Sequence, residues 1–329
     1  MRDVGLVGLP YAGASTLFTA LTRTGAAGGR ANQAVVDVPD DRLAVLAGLE
    51  RSKKVVPAQV RFVDVPGGMG AQAIAGLRET DALCVVVRAF GPDSDAARDL
   101  REIRANLVLA DLAVVESALE NARRRVKGRA SKEGPPPEVD ALDRAQRALS
   151  EERLLRDEGF DDEARRHLRG LGPLTLKPWV VVANLEEGSP LPGAFPPGTV
   201  GVWAEIEAET ASMAPEEARA LLTEFGVAEP GLADVIAACY GALDLITFLT
   251  TGEDETRAWE VRRGATAPEA AGAIHTDLQR GFIRAEVVSY EDLVDSGGWD
   301  AAKARGLLRV EGKDYAVREG DVLHVRFAV

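Results

Sequence analysis

The stretch Asp3-Val4-Gly5-Leu6-Val7-Gly8-Leu9-Pro10-Tyr11-Ala12-Gly13-Ala14-Ser15-Thr16-Leu17-Phe18 decides how the rest of the chain is read. A short apolar run ends in glycine, a turn follows, and a helix-forming segment opens at Leu17. This is the strand–loop–helix order that a phosphate-binding loop requires. Gly8, Gly13 and Ser15 occupy the fixed positions of G-x-x-x-x-G-K-[ST], and Ala14 stands where the lysine belongs. The glycines let the main-chain N–H groups of Tyr11, Ala12, Gly13, Ala14, Ser15 and Thr16 face an anion at the positive end of the following helix dipole. The ammonium that would bridge β- and γ-phosphates is missing. A plain glycine-rich turn has the same composition, and the loop by itself does not separate the two readings.

A chain of 329 residues predicts two or three domains. Its 46% hydrophobic residues suffice for packed cores, and its net charge of −13 argues against a generally basic nucleic-acid binder while leaving room for a local basic patch. Cys84 and Cys239 lie in apolar surroundings without metal-ligand spacing and read as buried, reduced thiols. The apolar start carries Asp3, Pro10 and several glycines, so it reads as a core strand and not a signal peptide. With no apolar run of bilayer-spanning length, the expectation is a soluble, cytoplasmic protein without membrane partners.

Along the chain, Leu17 to Thr24 reads as a helix stopped by Gly25, Gly28 to Gln33 as a flexible connection, Arg42 to Leu49 as a helix and Gln59 to Val65 as a strand. That strand delivers Asp64 ahead of Val65-Pro66-Gly67, the D-x-x-G order of P-loop GTPases and their relatives, in which the carboxylate holds Mg²⁺ through water and the glycine N–H meets a γ-phosphate. Asp before Pro-Gly is also ordinary turn chemistry. The apolar runs Leu83 to Val87, Trp179 to Val182 and Val200 to Trp203 predict parallel strands covered on both faces, hence a doubly wound α/β domain. Between them, Leu100 to Val114 and Glu138 to Leu155 follow helical spacing and predict an inserted coiled-coil hairpin with the basic tip Arg123 to Arg129. The tip could meet RNA phosphates, or its cations could simply complement a helix C-terminus. Asn184-Leu185-Glu186-Glu187 falls where a base-reading loop belongs. Beyond a helix from Gly231 to Leu243, alternating strand patterns with one short helix, Pro268 to His275, predict a small α+β domain of β-grasp type.

By these residues the chain resembles the YchF family of Obg-related ATPases. The matching stretches run through the whole chain in order: Gly8-Leu9-Pro10 with Ser15-Thr16-Leu17-Phe18, Arg78-Glu79-Thr80-Asp81-Ala82, Leu174-Thr175-Leu176-Lys177-Pro178 and Glu229-Pro230-Gly231-Leu232. The most specific are Gly264-Ala265-Thr266-Ala267-Pro268, Ile274-His275-Thr276-Asp277 and Gly281-Phe282-Ile283-Arg284-Ala285-Glu286-Val287. The resemblance implies a P-loop domain over residues 1–100 and 172–243, a coiled-coil insert over 101–171 and a β-grasp TGS domain over 244–329. It implies a nucleotide, ATP in preference to GTP, with Mg²⁺, because Asn184 and Glu187 keep the family's Asn-x-x-Glu base-reading pattern beside Leu185. The fifth nucleotide element corresponds to Trp203-Ala204-Glu205, with Ala204 at the base and tryptophan in place of a small residue. Ser15 and Asp64 would be the metal ligands. The family also implies a ribosomal or RNA partner engaged through the TGS domain and the coiled coil; the oligomeric state is open.

The departures are chemical. Besides Ala14, the chain has no threonine between Gly25 and Asp64 to serve as a switch ligand of Mg²⁺, a short connection from Gly70 to Arg78, and no histidine from Phe90 to Leu100, where the family's presumed catalytic histidine belongs. The proline-rich segment Gly188 to Gly198 replaces a helix. Losing a charge-assisted phosphate contact costs on the order of 1.5–3 kcal/mol, one to two decades of affinity. Hydrolysis loses more, since its catalysis is positioning and charge neutralisation. The expectation is weak nucleotide binding with impaired hydrolysis and no assigned catalytic residue. The alternative is an active, slow ATPase or GTPase acting as a ribosome-linked switch.

Overall fold

The computed structural model describes residues 2–22, 32–65, 67–126, 135–227 and 230–328, apart from the side chains of Asn32 and Pro215. The stop at Gly25, most of the Gly28 to Gln33 connection, Pro66 and the tip residues from Lys127 onward lie outside them. The chain divides into two compact units, Met1–Val36 with Arg61–Cys239, and Asp37–Val60 with Tyr240–Val329.

In chain order the first part holds β1 (Asp3–Gly8), α1 (Ala14–Thr22), β2 (Asn32–Asp37), α2 (Arg42–Glu50), β3 (Val55–Val56), β4 (Gln59–Asp64), α3 (Ala71–Arg78) and β5 (Ala82–Ala89). Then come α4 (Ala96–Val126), α5 (Pro137–Ser150), α6 (Asp162–Arg169), β6 (Trp179–Leu185), β7 (Val200–Val202), α7 (Ala204–Thr210), α8 (Pro215–Glu224) and α9 (Leu232–Ala242). The first unit's sheet has the order β2-β4-β1-β5-β6-β7, with parallel pairing between β1 and β4, β1 and β5, β5 and β6, and β6 and β7. Ala82 to Val87 are buried without a break, as helices on both sheet faces require of an unalternating apolar strand. This is the doubly wound P-loop arrangement expected from the sequence, and it brings the ends of β1, β4, β6 and β7 to one edge of the sheet.

The insert differs in detail from the expected hairpin. Its first helix spans 31 residues but its antiparallel partner only 14, so the run Glu138 to Leu155 is not one helix: α5 ends at Ser150, and a 3₁₀ turn at Leu155–Asp157 leads into α6. Val115, Leu119, Val139, Leu142, Leu149, Phe160 and Leu168 share the insert's core. The tip arginines are paired: Arg123 with Asp143 at 2.5 Å, Arg124 with Glu120, and Arg125 with Glu138 at 2.7 Å. At the base of the insert, fully buried Asp111 accepts from Arg78 Nη1 (2.7 Å), Leu174 N (3.1 Å), Thr175 N (2.7 Å) and Thr175 Oγ1 (2.7 Å). Arg78 also donates to the carbonyls of Ala110 (2.9 Å) and Gly172 (3.1 Å), clasping the end of α3 to both flanks of the insert.

The second unit holds β8 (Leu245–Thr250), β9 (Thr256–Arg262), α10 (Ala267–Ile274), α11 (Thr276–Arg280), β10 (Phe282–Ser289), α12 (Tyr290–Ser296), α13 (Trp299–Ala304), β11 (Arg309–Glu311) and β12 (Asp321–Phe327). Its sheet runs β11-β10-β12-β8-β9-β3; β8 and β9 form an antiparallel hairpin, and β12 lies parallel to β8. Helix α10 closes the core over Phe248, Val287 and Leu323, which gives the β-grasp pattern. The single helix read from the sequence is therefore four, because α11, α12 and α13 are too short to show a helical period. Residues 37–60, read as part of the nucleotide domain, cluster with this unit: β3 pairs with β9 through Val55↔Thr256 and Val56↔Arg257, and Lys53 and Lys54 meet Asp254 and Glu255 at 2.8 and 2.9 Å.

Candidate functional site

At the end of β1 a Cβ on Gly8 would sit 2.7 Å from the carbonyl oxygen of its β5 partner Val86 and 3.2 Å from the Ala12 Cβ of the loop. Ala12 N then donates to Leu9 O (3.1 Å), and Leu17 N to Gly13 O (2.8 Å) starts α1. Gly13 has φ +90°, and a Cβ there would lie 2.2 Å from Asn184 Nδ2, so both glycines of the motif are fixed by close approach. Tyr11 takes φ +67° although it carries a bulky side chain, at a cost on the order of 1–3 kcal/mol. Its ring is 91% exposed.

Gly8 through Thr16, Asp64, Gly67 and Gly68 line a cavity of about 280 Å³. The sequence-predicted Tyr11, Ala12, Gly13, Ala14, Ser15, Thr16, Asp64 and Gly67 thus meet in one place. Neither aromatic candidate closes it: Tyr11 stands in solvent, and Trp203 packs with Ile206, Leu222 and Val227 instead of lining the cavity. No lysine, arginine or histidine contributes to the lining among the described residues. Asp64 is 3% exposed, and its Oδ2 has no hydrogen-bond partner. A buried carboxylate oxygen left open, in a cavity that Ser15 also lines, is the kind of hard oxygen ligand a divalent cation takes. Ser15 and Asp64 are the residues that would hold it.

Asn184 and Ala204 join the cavity indirectly. The buried Asn184 amide donates to Ala12 O (3.1 Å), and its Oδ1 accepts from Ala204 N (3.1 Å), so one side chain ties the phosphate loop to the start of α7. Leu185 points into the apolar core of the sheet, with Val85 and Ala183, and Glu187 is exposed. Glu207 was not singled out from the sequence. It is 1% exposed and accepts from Trp203 N (3.1 Å), Gly231 N (3.0 Å) and Leu232 N (3.1 Å), which fixes the β7–α7 turn against the start of α9. Burial pushes this carboxyl above its usual range, against the pull of the three N–H donors. In Ala204-Glu205-Ile206-Glu207-Ala208-Glu209 only the spacing of Glu207 from Trp203 hints at the difference from its solvated neighbours.

The remaining candidate groups are structural. Cys84 and Cys239 are free and buried, and the Cys84 thiol is pushed up by its hydrogen bond to Cys239 and by burial. His275 caps α11, its Nδ1 accepting from Asp277 N at 3.2 Å. His324 packs edge-on against Trp299 with centroids 6.2 Å apart. Among the described residues no three of His, Cys, Asp and Glu are grouped to hold a metal by themselves, and no helix is long and apolar enough to cross a membrane.

Known proteins share this arrangement over its full length. The family model YchF-GTPase_C, described as "Protein of unknown function (DUF933)", matches residues 245–328. The ribosome-binding ATPase YchF of Bacillus subtilis is 38% identical over 366 residues, covering 99% of both chains. That of Haemophilus influenzae is 39% identical over 363 residues with the same coverage. The solved structure of the Schizosaccharomyces pombe YchF GTPase superposes with a TM-score of 0.84 at 28% identity, over 99% of this chain and 97% of that one. At this identity and coverage the chain belongs to the YchF family.

Proposed function

We propose that this chain is a translation-associated nucleotide-binding protein that holds ATP, or GTP, weakly and hydrolyses it poorly because Ala14 replaces the loop lysine. The observation that carries the reading is a cavity of about 280 Å³ lined by Gly8 to Thr16 and Asp64, with no cation in its lining among the described residues. The loop N–H groups at the start of α1 orient an anion. Asn184 holds that loop against Ala204, so the base side and the phosphate side of the site keep one geometry. Mg²⁺, when bound, supplies charge neutralisation to the phosphates. The chain's own residues supply position but little charge, which supports retention of binding and loss of turnover.

The same proposal takes residues 244–329 as a TGS-type domain and residues 101–171 as a second surface toward a ribosomal or RNA partner, with the cytoplasm as the place of action. The ribosome-binding relatives support the partner class. Arg123, Arg124 and Arg125 each face an acidic neighbour, so the hairpin tip offers RNA less free charge than its sequence suggests. Single-turnover ATP hydrolysis with and without purified ribosomes tests the reading. The expected result is co-sedimentation with ribosomes and hydrolysis well below that of a lysine-bearing relative; hydrolysis at the relative's rate would mean an active ATPase switch instead.

A further inference from the structure

Asn184 does not hold the loop after β1 alone; a chain of bonds continues past it to Glu207. Asn184 Nδ2 donates to Ala12 O (3.1 Å). In a trans peptide the C=O and N–H point opposite ways, so the bond that holds Ala12 O also sets the direction of the N–H of Gly13, which lines the cavity. On its other side Asn184 Oδ1 accepts from Ala204 N (3.1 Å), and the preceding N–H, that of Trp203, goes to Glu207 Oε1 (3.1 Å). Glu207 N returns a bond to Trp203 O (2.9 Å). The same carboxylate takes Gly231 N on Oε1 (3.0 Å) and Leu232 N on Oε2 (3.1 Å). Two adjacent N–H groups of one turn are thus held by two buried side chains, one reaching to the loop and the other to the start of α9.

We infer, on the nucleotide-binding reading above, that Glu207 is a positioning residue of the site. It acts through Trp203, Ala204 and Asn184 to keep the loop's main-chain donors aimed at an anion that it does not itself meet, since it does not line the cavity. The aim matters in this chain because no lysine, arginine or histidine lines the cavity among the described residues. The phosphates are left to backbone N–H groups and hydroxyls, whose bonds weaken steeply away from linearity. Three charge-assisted bonds to a carboxylate only 1% exposed make the Trp203–Ala204 turn a stiff support. Asp111 is as deeply buried, but its partners Arg78, Leu174 and Thr175 do not line the cavity.

The test is a double-mutant cycle read in the affinity for ADP with Mg²⁺, using the full chain as wild type, Glu207→Gln, Asn184→Ala and the double variant. An amide presents a single oxygen, so Glu207→Gln leaves at least one of the three N–H groups without its acceptor. It should weaken ADP binding by about tenfold where Asn184 is present, the worth of one hydrogen bond to a charged group. Where Asn184 is already alanine it should weaken binding by about twofold or less, because the two residues act along one chain of bonds. Equal weakening in both backgrounds, which a purely structural role gives, overturns the inference, as does no weakening in either; both leave nucleotide binding standing. Should a variant not fold or bind too weakly to titrate, hydrogen exchange on the wild type decides. Saturating ADP with Mg²⁺ should slow the amides of Trp203, Gly231 and Leu232 more than those of Leu174 and Thr175, which Asp111 holds, and equal slowing overturns the inference. Absence of ADP binding to the wild type overturns the nucleotide reading as well.

Discussion

At the base of the helical insert Asp111 is fully buried, and both its oxygens are taken, by a guanidinium, two main-chain N–H groups and a threonine hydroxyl. At the edge of the cavity lined by Gly8 to Thr16, Asp64 is 3% exposed, and one of its oxygens has no partner. The two carboxylates lie in the same unit and are similarly hidden from water. Burial therefore does not distinguish architecture from function here; saturation does. A carboxylate whose lone pairs are all answered within the chain holds the fold, and one left unanswered beside an open cavity is, on the proposed reading, where a cation would sit.

The largest effect should come from the saturated residue. Asp111→Ala strands the Arg78 guanidinium and three donors, and it should lower the unfolding free energy of its unit by about 3–5 kcal/mol, read from a denaturant titration. A loss under 1 kcal/mol would break the comparison. A smaller effect calibrates the role of burial. Glu269 is a hydrogen-bonded carboxylate at the surface whose Oε2 accepts from Thr266 N (2.7 Å) and Thr266 Oγ1 (2.9 Å) at the start of α10. Glu269→Ala should cost its unit about 1 kcal/mol at pH 7. The two bonds from Thr266 hold the Glu269 carboxyl below its usual range. Its contribution is therefore present above the unfolded-state pKa and fades as pH falls through the folded one, so wild type and variant should converge in acid. The smallest change in stability belongs to Asp64. Asp64→Asn removes an unanswered buried charge and should leave stability unchanged or raised by up to about 1 kcal/mol. A loss as large as that of Asp111→Ala would show that Asp64 is architecture too.

Much of the first unit is legible in the sequence because its signals are local. The glycine spacing from Gly8 to Gly13, the D-x-x-G at Asp64 and the unalternating runs in β5 and β6 each report on their own neighbourhood, and they bring the cavity residues together as expected. What stays hidden depends on partners distant in the chain. The two-residue β3 has no period of its own and is a strand because β9, some 200 residues away, pairs with it. The Arg78–Asp111 clasp spans 33 residues without a motif, and α12 and α13 are shorter than two helical turns. Within the site, Leu185 follows the strand alternation into the core, because β6 extends through it where a loop was expected. Glu207 looks like its exposed neighbours until three N–H groups converge on it.

Calorimetric titration of ADP with Mg²⁺ into the wild type and into Ala14→Lys tests most directly whether a main-chain anion cradle persists here without its lysine. The wild type should bind measurably, and Ala14→Lys should bind tighter by about 10- to 100-fold, the worth of one charge-assisted phosphate contact. Identical affinities would contradict the account, because residue 14 would then not face a phosphate at all.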